Sequence, residues 1–149
     1  MGHECPDVSL LTRAHAKLRL HELLHPGRPL VLNFGSIGSK AWRDTHDDME
    51  EMFTRFGSYA NFAHVYIKNY HDQSSLRPDP DYPMPPSKSV DDRIAAAMIW
   101  TNERKPRVPI YMDMLNDRAR ILFGAGPERF YIIDGDTGLI LLKGGMGNM

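Results

Sequence analysis

Cysteine is nearly absent from this chain of 149 residues, in which Cys5 is the single example. One thiol excludes an internal disulfide, a CxxC redox pair, and a zinc site built from several thiolates of one chain. Sparse cysteine also favours a reducing compartment, so we expect a cytoplasmic location.

Long apolar runs and an excess of charge are lacking as well. No run approaches the ~20 residues that a membrane span requires, and residues 1–6 lack the apolar segment of a signal peptide, so no transmembrane segment is expected. A formal net charge of −1 gives no basic field for nucleic acid. The length fits one domain over residues 1–149, with residues 1–15 expected to be a loosely ordered segment.

Apolar periodicity predicts an α/β fold. We expect strands at residues 30–34, 61–67 and 108–112, helices at 42–56, 91–104 and 116–123, and a final hairpin made of RFYIID and GLILLK. A proline-rich stretch over residues 68–89 is expected to be a long loop. This order is typical of a thioredoxin-like three-layer sandwich with a mixed sheet, parallel strands first and an antiparallel pair last. The sequence given stops at GGMGNM, where such a fold would add its closing helix.

The segment VLNFGSIGSKAW, residues 31–42, joins a predicted strand to a glycine-containing loop and the start of a helix. That context suits a phosphate cradle, but the glycines are three residues apart and Ser39 precedes Lys40, so the P-loop pattern fails. A plain connecting turn is the other interpretation of these residues. In thioredoxin-like folds this loop presents the reactive sulfur or selenium, and a proline before the final hairpin faces it. Pro127 has that position, and its peptide bond could be cis.

Four blocks, found in order over about residues 20–147, together resemble the iodothyronine deiodinases: PGRPLVLNFGS, FAHVYIKNYH, DDRIAAA, and GAGPERFYI with KGG. The resemblance implies a thioredoxin-like, peroxiredoxin-related fold and reductive removal of iodine from thyroid hormones. It implies no bound cofactor, an external thiol reductant, an iodothyronine-like ligand and a homodimer. The selenocysteine position of the family falls on Ser39, and an auxiliary cysteine falls on Ile37.

The resemblance also assigns site residues. Ser39 and His71 take the catalytic positions, with His71 as proton donor or substrate anchor. Arg129 would clamp a carboxylate or phenolate of the substrate. The other residues assigned to substrate binding are Ser36, Tyr66 and Glu128. From the residues alone, His71 could equally be an ordinary loop histidine, and Glu128 with Arg129 an ordinary ion pair at a strand end.

Serine at position 39 departs from the family pattern. A hydroxyl is a hard nucleophile that stays protonated near neutral pH unless a base activates it. Ile37 leaves no second chalcogen in the loop. The resemblance therefore predicts a deiodinase-like protein acting on thyroxine with a thiol cosubstrate, with serine at position 39 putting its activity in question. The alternatives are a non-catalytic iodothyronine-binding or dimerising paralogue, and a thioredoxin- or peroxiredoxin-like redox protein.

The seven histidines do not predict a metal site. His21 and His25 have helical i, i+4 spacing, but no third ligand follows at a recognisable distance. His64 falls in the middle of a predicted strand, where we expect it to be partly buried or exposed.

Overall fold

Seven strands and four helices make up the computed structural model, which describes residues 2–144. The strands are β1 (Ser9–Leu11), β2 (Lys17–Arg19), β3 (Leu30–Gly35), β4 (Asn61–Tyr66), β5 (Ile110–Asp113), β6 (Arg129–Ile133) and β7 (Ile140–Lys143). The helices are α1 (Lys40–Asp44), α2 (His46–Phe56), α3 (Val90–Arg104) and α4 (Arg118–Phe123), and a 3-10 turn spans Leu20–Leu23. The expectation of a missing closing helix falls on residues 145–149, which lie outside the described residues.

The strands form one mixed sheet in the order β2-β1-β5-β4-β3-β6-β7. Strand β3 runs parallel to β4, β4 runs parallel to β5, and β6 pairs antiparallel with β3 and then with β7. The predicted arrangement of parallel strands first and an antiparallel pair last is confirmed. All six residues of β3 are buried, as expected for an almost continuous apolar run in a central strand.

Helices cover both faces of the sheet because side chains alternate between the faces along each strand. On one face, Val31, Phe62 and Phe130 pack against Met49 of α2. The opposite face packs Leu32 and other strand residues against α4. The loop between β3 and α1 lies at the carboxyl end of the parallel strands, where Ile37 packs with Tyr66 of β4.

The amino-terminal segment is more ordered than the sequence predicts. Strand β1 pairs antiparallel with β2 and with β5, and Cys5, Val8 and Leu10 are buried. The expectation of loose order over residues 1–15 is therefore wrong for this segment. Strands of three residues are too short to show a period, and their apolar side chains are held by contacts that are distant in sequence.

The helix predicted over residues 42–56 is two helices that meet at Thr45. The Thr45 hydroxyl donates a hydrogen bond to the Trp42 carbonyl oxygen at 2.6 Å and accepts one from the Asn33 amide at 3.1 Å. These side-chain bonds compete with the regular helical pattern and tie the break to the central strand. Helix α1 is thus a short element whose direction is set separately from that of α2.

Candidate functional site

Ser39 lies at the start of α1, four residues after the end of β3. Its hydroxyl oxygen accepts a hydrogen bond from the Trp42 backbone N–H at 3.2 Å, which makes it the N-cap of α1. Its own backbone N–H donates to the Ser36 carbonyl oxygen at 3.1 Å and closes the loop. The residue is 2% exposed, so the loop holds this position out of bulk water.

Glu128 supplies the second contact of the Ser39 hydroxyl. The Ser39 O–H donates to Oε2 of Glu128 at 2.9 Å across 89 positions of sequence. Glu128 is 9% exposed and directly follows Pro127, whose peptide bond with Gly126 is cis. The hydroxyl therefore has both a donor and an acceptor partner, and its acceptor is a carboxylate.

Tyr66 holds the loop from beneath. Its phenol oxygen accepts a hydrogen bond from the Ile37 backbone N–H at 3.1 Å, and its ring lies edge-on to Trp42. Burial raises the pKa of Tyr66 far above its ordinary value, so the phenol stays protonated. At 1% exposure, Tyr66 supports the loop backbone in this structure; the predicted contact of its side chain with substrate stays a prediction.

Ser36 and His71 meet at the side chain of Asn69. The Asn69 carbonyl oxygen accepts from the Ser36 hydroxyl at 3.5 Å and from the His71 backbone N–H at 3.0 Å. A Cβ on Gly38 would lie 2.1 Å from that same oxygen, so a side chain at position 38 would displace the Asn69 amide. The His71 ring, however, has its Nδ1 3.0 Å from the Arg77 carbonyl oxygen. The structure thus places His71 beside the loop without a direct contact to Ser39.

Arg129 lies at the start of β6, opposite Phe34. Its neighbour Phe130 packs on the α2 face, while Tyr131 packs on the α4 face. Alternation along the strand therefore directs Arg129 toward the α4 face, away from Glu128. Among residues 2–144, the Arg129 Nε has no hydrogen-bond partner. The role of Arg129 as a clamp for the substrate stays a prediction. Glu128 and Arg129, the alternative ion pair at the strand end, face different sides of the sheet.

Arg43 is a residue of the site that the sequence does not reveal. Its guanidinium donates to the Ile37 carbonyl oxygen and, at 3.1 Å, to Oδ2 of Asp79 in the long loop. Both side chains are more than nine-tenths buried. Burial opposes ionisation of Asp79, but hydrogen bonds from the Tyr82 N–H and from Arg43 outweigh it and lower the pKa of Asp79. Arg43 therefore connects the Ser39 loop to the proline-rich loop.

His64 is fully buried, so the expectation of partial exposure is wrong. Burial, assisted by His46 and opposed by Glu50, lowers the pKa of His64 from 6.5 to about 3. The imidazole lies edge-on to Trp42 and Trp100, with ring centroids 5.7 and 5.1 Å away. A neutral histidine thus packs beneath α1, the helix that Ser39 caps. The alternating pattern of β4 could not predict this burial, because it does not show which helices cover the strand.

The single thiol is not part of this site. Cys5 is buried in the core on the α4 face, and its Sγ lies 3.5 Å from Nε2 of His21. Burial, together with the negative charges of Asp7 and Glu4, raises the pKa of Cys5 to about 11. Across the described residues, no three histidine, cysteine, aspartate or glutamate side chains are grouped to hold a metal ion. No helix among residues 2–144 is both long enough and apolar enough to cross a bilayer.

Solved structures share this fold. The thioredoxin domain of a thiol-disulfide oxidoreductase from Bacteroides vulgatus superposes with a TM-score of 0.69 at 12% identity, covering 98% of this chain and 90% of that one. A conserved uncharacterised protein from Geobacillus kaustophilus reaches a TM-score of 0.72 at 14% identity, covering 98% and 69%. The predicted thioredoxin-like fold is confirmed.

Sequence relatives carry deiodinase names. A type I iodothyronine deiodinase from Xenopus laevis is 28% identical over 147 residues, which cover 99% of this chain and 57% of that protein. A thyroxine 5-deiodinase from Ovis aries is 30% identical over 121 residues, covering 80% and 40%. The chain therefore spans about half the length of these curated relatives, or less. The iodothyronine deiodinase family model matches residues 1–149. The chain belongs to the iodothyronine deiodinase family.

Proposed function

We propose that this chain binds an iodothyronine at the Ser39 loop and that serine leaves the site without the nucleophile needed to remove iodine. Family membership and the buried loop between β3 and α1 support the location. The proposal combines the deiodinase-like function predicted from the resemblance with its non-catalytic alternative. The observation that carries it is the geometry of one hydroxyl group.

That hydroxyl is held in a neutral, capped state. Its oxygen accepts from the Trp42 N–H, and its proton is donated to the Glu128 carboxylate. Ionisation would place two negative charges about 3 Å apart, which Coulomb repulsion opposes. Carboxylates are far weaker bases than alkoxides, so a carboxylate does not remove the proton of an alcohol. Ser39 therefore acts as a helix cap in this site, which is a structural role.

A thioredoxin- or peroxiredoxin-like activity is less well supported. Such chemistry needs an accessible thiol with a lowered pKa. Cys5 is 3% exposed, and its pKa is raised to about 11. The fold is shared with thiol-disulfide oxidoreductases, but fold alone does not determine function.

The experiment restores a chalcogen at position 39. Wild type and Ser39→Cys are incubated with radiolabelled thyroxine and a dithiol, and iodide release is measured. The reaction replaces one carbon–iodine bond by a carbon–hydrogen bond; the dithiol supplies two electrons and becomes a disulfide, while iodide and a proton are released. Ser36→Cys is the matched control, because Ser36 is buried in the same loop but does not cap α1.

Iodide release by Ser39→Cys alone, with hormone binding by wild type, is the expected result. Release by wild type at the rate of Ser39→Cys would overturn the proposal of a missing nucleophile. Absence of hormone binding by wild type and both variants would overturn the assignment of the ligand. The predicted homodimer and the cytoplasmic location stay predictions, which light scattering and cell fractionation can test.

A further inference from the structure

A cavity of about 290 Å³ lies at the amino ends of β3 and β4, at the opposite end of the sheet from the Ser39 loop. Its lining comes from both faces of the sheet, since Leu23 and Tyr111 pack on the α4 face and Phe53 packs on the α2 face. The cavity therefore passes through the plane of the sheet, beside the first residues of β4.

A proline accounts for this gap in the sheet. On the β3 side, the Asn61 N–H donates to the Pro29 carbonyl oxygen at 2.9 Å. On the β5 side, the His64 N–H donates to the Pro109 carbonyl oxygen at 2.8 Å. Because the hydrogen-bonding direction alternates along a strand, Phe62, like His64, directs both its N–H and its C=O towards the β5 side. A continued ladder would pair the Phe62 C=O with the N–H of residue 109, and proline has none.

The two backbone groups of Phe62 have no partner within residues 2–144. Pairing of β5 with β4 begins only at Ile110, which lies opposite His64. The segment before it is held by Glu50, whose carboxylate accepts the Arg107 N–H at 3.0 Å. One N–H and one C=O side by side on the same residue are the groups with which an added strand pairs. The gap is therefore suited to a short length of extended peptide.

The surroundings of the gap are cationic. A second cavity of about 310 Å³ shares Arg107, Pro109 and Tyr111 with the first and is also lined by Arg13. Among the described residues, neither cavity is lined by an aspartate or a glutamate. Arg107 is paired with Glu50 at 3.2 Å, whereas Arg13 forms no ion pair with any residue from 2 to 144. We call the two cavities together the basal groove.

Arg28 adds a positive charge beside the first cavity. Its guanidinium donates to the carbonyl oxygens of Gly57 at 2.7 Å and Ala60 at 3.0 Å, and both of these residues line the cavity. Within the part of the chain that the structure describes, Arg28 has no carboxylate partner. A basic surface attracts acidic partners, so charge complementarity favours a segment that carries carboxylates.

We propose that the basal groove binds an extended acidic peptide segment of a partner protein, which adds a short strand beside β4 and pairs with both backbone groups of Phe62. The span of residues 61–63 is roughly 10 Å, so two or three residues of the segment fill the gap. Apolar side chains of the segment enter the cavity, and its acidic residues meet Arg13 and Arg28. The inference does not depend on the proposed function, because the basal groove and Ser39 lie at opposite ends of the sheet.

The probe is a fluorescein-labelled peptide, EEVLVEE, with blocked termini, and its affinity is measured by fluorescence anisotropy. Two matched peptides separate the features that the groove recognises. One has an N-methyl group on the central leucine, so it cannot donate a hydrogen bond to the Phe62 C=O. The other, KKVLVKK, keeps the apolar centre and reverses the charge.

Variants of the protein test the same two features. Pro109→Ala supplies the missing N–H within the chain, so pairing with the Phe62 C=O competes with the peptide. Pro106→Ala is the matched control, because Pro106 belongs to the same segment but is not opposite Phe62. Arg13→Gln removes a positive charge of the groove, and Arg77→Gln removes an exposed one from the long loop. Circular dichroism melts establish that each variant is folded.

Wild type is expected to bind EEVLVEE at least about tenfold more tightly than either matched peptide. Pro109→Ala should weaken binding by about fivefold and Arg13→Gln by about threefold, with Pro106→Ala and Arg77→Gln unchanged. Slower exchange of the Phe62 amide proton in the complex would support the added strand directly.

Equal affinity for the N-methylated peptide would overturn the pairing with Phe62, as would equal affinities of the two proline variants. Binding of KKVLVKK as tight as that of EEVLVEE would overturn the acidic class of partner. Binding of none of the peptides would overturn the inference as a whole. Thyroxine binding by the same wild-type sample reports separately on the proposed function.

Discussion

The contact between Ser39 and Glu128 predicts how a thiol at position 39 would ionise. In Ser39→Cys, a thiolate would lie close to the Glu128 carboxylate, at about the 2.9 Å now spanned by the hydroxyl. We expect the pKa of the introduced thiol to be raised above the ordinary value of about 8.5. Replacing the carboxylate by an amide in Ser39→Cys/Glu128→Gln should lower it.

The magnitude follows from Coulomb's law. Two unit charges about 3 Å apart repel by about 1.4 kcal/mol at the dielectric constant of water and by about 6 kcal/mol at an effective value of 20. These energies correspond to pKa differences of roughly one to four units between the single and the double variant. The amino terminus of α1 opposes the effect, but a helix end contributes only about 0.3–1 kcal/mol. The carboxylate is therefore expected to dominate.

The assay is the pH dependence of the rate of alkylation by iodoacetamide, followed by mass spectrometry of the labelled peptide. Cys5, whose pKa is raised to about 11, lies on a different peptide, so its labelling is followed separately from that of position 39. Ser39→Cys/Glu51→Gln is the matched control, because Glu51 is two-thirds exposed on α2. Equal thiol pKa values in the presence and absence of the Glu128 carboxylate would refute the reasoning. Such a result would mean that Glu128 does not face position 39 in solution.

Three further predictions concern stability and reactivity. The pKa of His64 is lower in the folded protein than in the unfolded chain, so only the unfolded state gains a proton as pH falls below 6.5. The His64 contribution to the free energy of unfolding is therefore constant above that pH. Urea denaturation is expected to show a loss of about 3 kcal/mol by pH 4. Arg43→Met removes one member of a buried ion pair and should cost about 3–5 kcal/mol in the same assay. Cys5 should resist a thiol reagent at pH 8 in the folded protein and react at once in denaturant.

Each of these predictions has an internal comparison. His64→Gln should flatten the pH dependence of stability, whereas His25→Gln, at an exposed position, should leave it unchanged; a retained slope in His64→Gln contradicts the assignment. Lys40→Met breaks an exposed pair and should cost no more than about 1 kcal/mol, so equal losses in the Lys40 and Arg43 variants would argue against a buried pair. Rapid labelling of native Cys5 would contradict its burial.

Local patterns predicted most of the sheet and much of the site. Residues 30–34 form an almost continuous apolar run, and they are the core of β3. Ser39 follows in the loop where a thioredoxin-like order predicts the reactive position. The resemblance selected Glu128 as well, although it assigned that residue to substrate binding. Its bond to Ser39 joins two segments whose meeting depends on the antiparallel pairing of β6 with β3.

Arg43, His64 and Asp72 lay beyond sequence reasoning for one shared reason. The burial and the pairing of a charged or polar side chain depend on its neighbours, and those neighbours come from distant segments of the chain. From the sequence, Arg43 is expected on the exposed surface of a helix. In the structure, Asp79 of the long loop lies against it and buries it. From the sequence, Asp72 is an ordinary loop residue; the fold buries it, with Ser74 as its hydrogen-bond partner.

By itself, the sequence determined the alternation of strands and helices from β3 to β7 and the residue at the key position, because both follow from residue identity and local period. The resemblance assigned Ser39 to the position of the family's selenocysteine, and the sequence shows that the loop contains no cysteine. Only the tertiary structure decided what surrounds that oxygen. Long-range packing brings three groups to this loop: the Glu128 carboxylate, the Tyr66 phenol and the paired Arg43. The free energy of a charged group depends on its burial and its neighbours, which no local sequence pattern encodes.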